Sequence, residues 1–328
     1  MLASLWGGSP YSVFPRGNVQ FRESSARLNR KGVSPSLRME GMKILLDAKD
    51  IINVVEHAQP LSIAEFRDWL NKRNAVLVYS FENIRALAGP LAVDPPQVER
   101  IVGYLKELEG LPHCYISTAI DLLELRAAVR AFEEKREYQS IDPYVSRFDC
   151  VFPPVAKPLK PSYPLSEVIL DIFQRCPQIF ARRPRLEEVY AFAMNEDRSR
   201  VNLKTPVDVG LAFTPFIETL EQKLSVSRER AEEIASWVAA EPSRCPALRL
   251  VRAVGAVISR DVRYAPRRGD VFDLSDIMQI PYVDKATLDR AMLHYFMAGV
   301  RQLEPKGKLG YASEGIFRSL SDLLEASA

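Results

Sequence analysis

Histidine is scarce in this chain: His57, His113 and His294 are the only three in 328 residues. So few imidazoles argue against a histidine-based zinc centre. Cysteine is nearly as thin. Cys114, Cys150, Cys176 and Cys245 stand far apart with no C-x-x-C pair, which suits reduced thiols in a cytoplasm better than a disulfide framework. His113 and Cys114 are sequence neighbours whose side chains diverge, so no shared metal is expected there. No apolar run approaches the ~20 residues that a bilayer span requires. The longest, such as Ala75–Tyr79, are strand-sized, and no membrane association is expected. Net charge is small as well. Lys and Arg number 44 against 42 Asp and Glu, leaving +2, far from a strongly basic nucleic-acid coat protein. Hydrophobic residues at 47% exclude a mostly disordered chain. The length allows one large domain or two smaller ones, able to bury roughly three quarters of the unfolded surface.

The near-neutral charge is a sum over unlike parts. Residues 1–41 contain 15 Gly, Pro or Ser residues and six basic side chains against two acids. No helical or strand period runs through them. They read as a disordered extension, or as upstream sequence read through from an early start with Met42 the working one. An Arg/Ser-rich targeting peptide is the competing reading, but Glu23, Glu40 and the scattered prolines spoil an amphipathic helix. The remaining 287 residues hold 38 basic and 40 acidic residues.

From Met42 the pattern is that of alternating strands and helices. Lys43–Leu46 is an apolar run suited to a central parallel strand. Asp50–His57 reads as a helix. Ser62 with Glu65 three residues on is a capping box that opens a helix over Ile63–Arg73. Ala75–Tyr79 is a second apolar strand, and Ser80 can cap a helix over Glu82–Ala88. This alternation predicts a parallel α/β sheet. Between about Ala92 and Gly269 the periodicity turns helical, and 92–261 reads as a helical insertion into a core formed by 42–91 and 262–328. Near the end, Tyr282–Leu288 is a candidate strand, Arg290–Met297 a helix and Glu314–Leu324 another.

The chemistry-bearing residues are carboxylates. Asp47 stands just past the first strand and Asp289 just past the strand at Tyr282–Leu288. Ligand sites in open α/β sheets lie at that edge. Asp273 stands at a helix start before the second of these strands. Carboxylates converging there repel one another unless a cation neutralises them, and oxygen-only ligands select Mg²⁺ or Mn²⁺. An Asp after a strand is also a common helix N-cap, and Asp47, Asp273 and Asp276 can each be only that.

Ile44-Leu45-Leu46-Asp47 followed by a helix, the stretch Val76–Leu87, and Gly269–Arg290 with its P-Y-x-D and T-x-D elements together resemble a PIN-domain nuclease. The resemblance covers about 80 residues in two blocks. It implies a Rossmann-like parallel sheet between helices and metal-dependent hydrolysis of RNA, less often single-stranded DNA. It assigns Asp47, Asp273 and Asp289 to the metal, with Asp284 as a further catalytic candidate. Two positions depart from the family. Where a helical Glu is usual the chain has Ala86, with Glu82 one turn earlier as a substitute ligand. After the first Asp, Lys49 replaces the usual Asn. These departures raise the alternative of a catalytically inactive PIN-like module that binds RNA or protein. Many members are toxins with a small protein antitoxin, so such a partner, or a homo-oligomer, is also compatible.

Other motifs are weaker. Ser80 lacks a G-x-S-x-G setting and reads as a cap. Gly307-Lys308 lacks the rest of a P-loop. Tyr190, Phe192 and Trp237 read as core. Arginines cluster in two groups, Arg175–Arg200 and Arg244–Arg268. The second ends in Arg263, Arg267 and Arg268 beside the acidic motif, where guanidinium forks suit phosphate contacts; ion pairing on a solvated surface is the plain alternative.

Overall fold

A computed structural model of the chain describes residues 41–88, 95–145, 148, 164–175, 209–241, 243–261, 263–264, 270–303 and 314–327, of which 95–97, 171–175, 209–215 and 270–273 as helical backbone only. Six strands form one sheet: β1 (Met42–Leu45), β2 (Ala75–Tyr79), β3 (His113–Ile116), β4 (Tyr144–Val145), β5 (Lys285–Thr287) and β6 (Ile316–Phe317). Their spatial order is β4-β3-β2-β1-β5-β6. All neighbours pair in parallel except β3 with β4. Among the described residues no helix is long and apolar enough to cross a membrane.

Helices cover both faces. The first four are α1 (Ala48–His57), α2 (Ile63–Lys72), α3 (Phe81–Ala88) and α4 (Pro95–Glu109). Next come α5 (Ile120–Glu133), α6 (Leu165–Arg175), α7 (Val209–Leu224), α8 (Arg228–Ala240) and α9 (Pro246–Arg260). The last are α10 (Asp270–Ile277), α11 (Arg290–Leu303) and α12 (Leu320–Glu325). Strand side chains alternate between the two layers, as the two-residue period requires. Ile44, Leu77, Tyr79 and Tyr115 pack with α1 to α4. Leu45, Val78, Cys114, Ile116 and Ala286 pack with α9 and α11 on the opposite face. A third cluster joins α5, α7 and α8 away from the sheet. The strands buried on both faces are the ones read as continuous apolar runs.

Local signals place the first elements. Ser62 and Glu65 form the complete capping box of α2. Asn74 turns the chain in the left-handed region, φ 47°, between α2 and β2. Three expectations change. The span 92–261, read as helical, contributes β3 and β4 to the sheet. The strand expected over Tyr282–Leu288 is only Lys285–Thr287, because Pro281 lies in a 3₁₀ turn, Ile280–Tyr282. The helix expected over Glu314–Leu324 begins with β6, and α12 follows. Pairing with a neighbour, which no local pattern records, creates these short strands. Residues 1–40, and Tyr190 and Phe192 with them, lie outside the described residues.

Candidate functional site

Strands β2 and β3 extend the sheet to one side of β1, and β5 and β6 to the other. The chain therefore reverses its direction of progress between β1 and β5, and the crevice beyond the carboxyl ends of those strands is where doubly wound sheets take their ligands. Asp47 follows β1 and Asp289 follows β5. Both line one small pocket, together with Asp276, Thr287 and Met292.

Each carboxylate is held. Asp47 Oδ1 accepts from the Lys49 N–H at 2.8 Å and caps α1. Asp289 Oδ1 accepts from the Met292 N–H at 2.7 Å in the first turn of α11. Asp276 Oδ1 accepts from Ser80 Oγ at 3.3 Å and Gln279 Nε2 at 3.4 Å. Capping uses one oxygen of Asp47 and of Asp289 and leaves the second for another partner. The Asp47 N–H donates to Thr287 Oγ1 at 2.8 Å. Asp50, buried beneath, accepts from the Thr287 hydroxyl and the Leu320 N–H. Thr287 thus pins the backbone at Asp47 to β5, while Asp50 sets its hydroxyl.

The electrostatics are those of a crowded anionic site. Burial pushes the Asp47 carboxyl above the ordinary range, and the charges of Asp50 and Asp289 add to the rise. Asp50 is also raised, again chiefly by burial. The donors are hard oxygens from three elements around one pocket, a set that fits Mg²⁺ or Mn²⁺. Among the described residues, however, no three His, Cys, Asp or Glu side chains are gathered closely enough to hold an ion.

The other expected site residues are placed as follows. Asp273 falls within α10, but its side chain lies outside the described residues, as do Arg267 and Arg268. Arg263 is exposed in a turn after α9. Asp284 does not join the pocket. It sits at the opposite end of β5 from Asp289, about 16 Å away at strand rise, and accepts from the Lys43 N–H at 2.7 Å. Glu82 is buried and paired with Arg85 at 2.8 Å. It lines a neighbouring cavity, not the one shared by the three aspartates. Two arginines of the suspected phosphate-binding group serve the fold: Arg249 donates to the carbonyls of Val238, Ala239 and Glu241 that end α8, and Arg244 stacks on Trp237. Sequence reasoning assigned Asp276 only a cap. The available signal was its spacing, one helical turn beyond Asp273 on the same face of α10.

These features define an α/β protein with a six-stranded, mostly parallel sheet between helices, consistent with a Rossmann-like fold, and with an acidic pocket at its switch point. Comparison of the chain with family models, with curated proteins and with solved structures returns no match.

Proposed function

We propose that the protein is a PIN-like, metal-dependent phosphodiesterase acting on RNA. The observation that carries this reading is the convergence of Asp47 and Asp289 from adjacent parallel strands, with Asp276 opposite, on one pocket. Asp47, Asp289 and Asp276 would hold Mg²⁺ or Mn²⁺, with Asp273 one turn earlier in α10 as a further ligand. The bound ion supplies positive charge for the phosphate and a water of lowered pKa. The chain's own residues do the positioning. Thr287 and Asp50 lock the Asp47 backbone to β5, Met292 orients Asp289, and Ser80 with Gln279 orients Asp276. The apolar residues Leu45, Leu46, Leu288 and Met292 complete the pocket lining.

The test is cleavage of mixed-sequence RNA and single-stranded DNA with Mn²⁺, using Asp47→Asn and Asp289→Asn as controls. Each substitution is expected to reduce the rate by at least about a hundredfold, the scale of losing an electrostatic group in a reacting site. Cleavage that survives both substitutions places the activity elsewhere. One observation favours a second reading, a non-catalytic module that binds RNA or protein: the Glu82 carboxylate is already paired with Arg85. RNA binding with no metal-dependent cleavage by the unaltered chain selects that reading.

A further inference from the structure

The aspartate pocket has a neighbour. Beyond the carboxyl ends of β2 and β3 a second small cavity is lined by Ser80, Glu82, Ser117, Thr118, Ser275 and Gln279. One atom in its wall is unsatisfied. Gln279 is only 4% exposed, and its Oε1 has no hydrogen-bond partner. A buried, unpaired amide oxygen is costly, because it has given up its water without gaining a donor. The orientation of that amide is set by its other end: Nε2 donates to Asp276 Oδ1 at 3.4 Å, and turning it over sets oxygen against carboxylate. A residue of the cavity lining therefore carries an acceptor that lacks a donor. Ser80, Ser117, Thr118 and Ser275 share the lining with the apolar Phe81, Ile116, Ile120 and Met278, and the room left suits a group the size of one water or one hydroxyl.

The two cavities share a wall. Ser80 and Gln279 line the second and both donate to Asp276, which lines the first. Only the Asp276 side chain and its hydrogen bonds stand between the first cavity and the Gln279 amide. In a ribonucleotide the 2′-hydroxyl is on the carbon next to the one that bears the 3′-phosphate. We propose that this second cavity is a ribose subsite, in which Gln279 Oε1 accepts the 2′-hydroxyl proton of the nucleotide whose 3′-phosphate lies against Asp47, Asp276 and Asp289. The inference rests on the phosphodiesterase reading and names its substrate class. A site built to hydrogen-bond a hydroxyl rejects the analogue that lacks it, because its own polar group is left unpaired.

The experiment measures binding by the full chain, with Ca²⁺ in place of Mg²⁺ to limit turnover. Fluorescence anisotropy compares short labelled single strands of one sequence as RNA, as DNA and as 2′-fluoro RNA, which keeps the ribose pucker but lacks the donor. The unaltered chain is expected to bind RNA about five- to tenfold more tightly than either analogue, the worth of one hydrogen bond. Gln279→Met, nearly isosteric, also removes the Nε2 bond that orients Asp276, and is expected to weaken RNA binding more than DNA binding, so that the preference for RNA disappears. Equal binding of all three strands by the unaltered chain means that water alone occupies the cavity and overturns the subsite, while Mn²⁺-dependent cleavage still stands or falls by its own assay. Equal weakening of RNA and DNA by Gln279→Met also overturns it, since that is the mark of a structural role. Failure to bind or cleave any strand removes the subsite and the phosphodiesterase reading together.

Discussion

Asp47 carries two duties that pull in opposite directions. As the cap of α1 it accepts the Lys49 N–H, which stabilises the helix. As a charge it is costly, because burial and the nearby Asp50 and Asp289 carboxylates favour its protonated form. Its pKa in the folded chain is therefore above the ordinary value of 3.8. The folded state binds the proton more readily than the unfolded state, so this residue's contribution to stability is present in acid and is lost as the pH rises past that value. Asp47→Asn keeps the cap, since Asn caps as well as Asp, and removes the charge. The substitution is expected to raise the melting temperature at pH 7, with the gain shrinking near pH 4, while abolishing metal-dependent cleavage. Thermal unfolding at the two pH values checks it; a lower melting temperature at pH 7 contradicts the strain assigned to this carboxylate. Loss of activity with gain of stability is the pattern of a residue held in place for chemistry.

At the scale of elements, legibility in the sequence follows how each element earns its shape. Strands β1 and β2 are buried on both faces, so their apolar runs show directly in the residues, and Asp47 at the end of β1 could be named from that alone. The capping box of α2 is equally local. By contrast β3 begins at His113 after Pro112 and spans four residues, while β4 and β6 span two each. Two-residue runs have no period to detect, and the β3 run opens on a polar histidine; each is a strand because a neighbour pairs with it. Asp289 was legible despite the overlong reading of β5, because only the end of that strand matters to it. Asp276 was not, because its place in the pocket depends on how α10 lies across the sheet. The packing of α9 on α11 is another feature that only the folded chain shows. Gly299 lets the two helices touch: a Cβ there would stand 2.8 Å from Val254 Cγ2 and 2.9 Å from the Val254 backbone nitrogen. Backbone cannot step aside as a side chain tip can. Gly299→Ala is therefore expected to destabilise by about 1–3 kcal/mol, despite the better helix propensity of alanine. Urea denaturation of the variant measures this, and an unchanged or higher midpoint would show that α11 can slide on α9 at no cost.

For the molecule as a whole, Glu124 ties the region between the two core blocks to the sheet. It lies on α5, is fully buried, and accepts from the Ala247 N–H at 2.8 Å and the Leu248 N–H at 3.0 Å in the first turn of α9. It also accepts from the Tyr282 hydroxyl at 2.5 Å, just ahead of β5. Three separated segments therefore meet at one carboxylate. Burial pushes its pKa from 4.5 up to about 7, although the hydrogen bonds from Tyr282, Leu248 and Ala247 pull it back toward the charged form. Because the folded value is the higher one, the folded chain holds a proton here that the unfolded chain has already released between those two pH values. Stability is then greatest on the acid side of that window and falls as the pH rises through it, by about 3 kcal/mol if Glu124 acts alone. Asp50 and Asp121, also raised by burial, act in the same direction. Glu124→Gln cannot ionise, and its single acceptor oxygen cannot serve all three donors. The variant is expected to be less stable than the unaltered chain at pH 5, yet to lose less stability between pH 5 and pH 8. Chemical denaturation across that range separates the two effects: the offset at pH 5 reports the lost hydrogen bonds, and the flattened slope reports the lost titration. An offset with the slope unchanged would assign the pH response to the aspartates and leave Glu124 as a purely geometric clasp between α5, α9 and the turn that precedes β5.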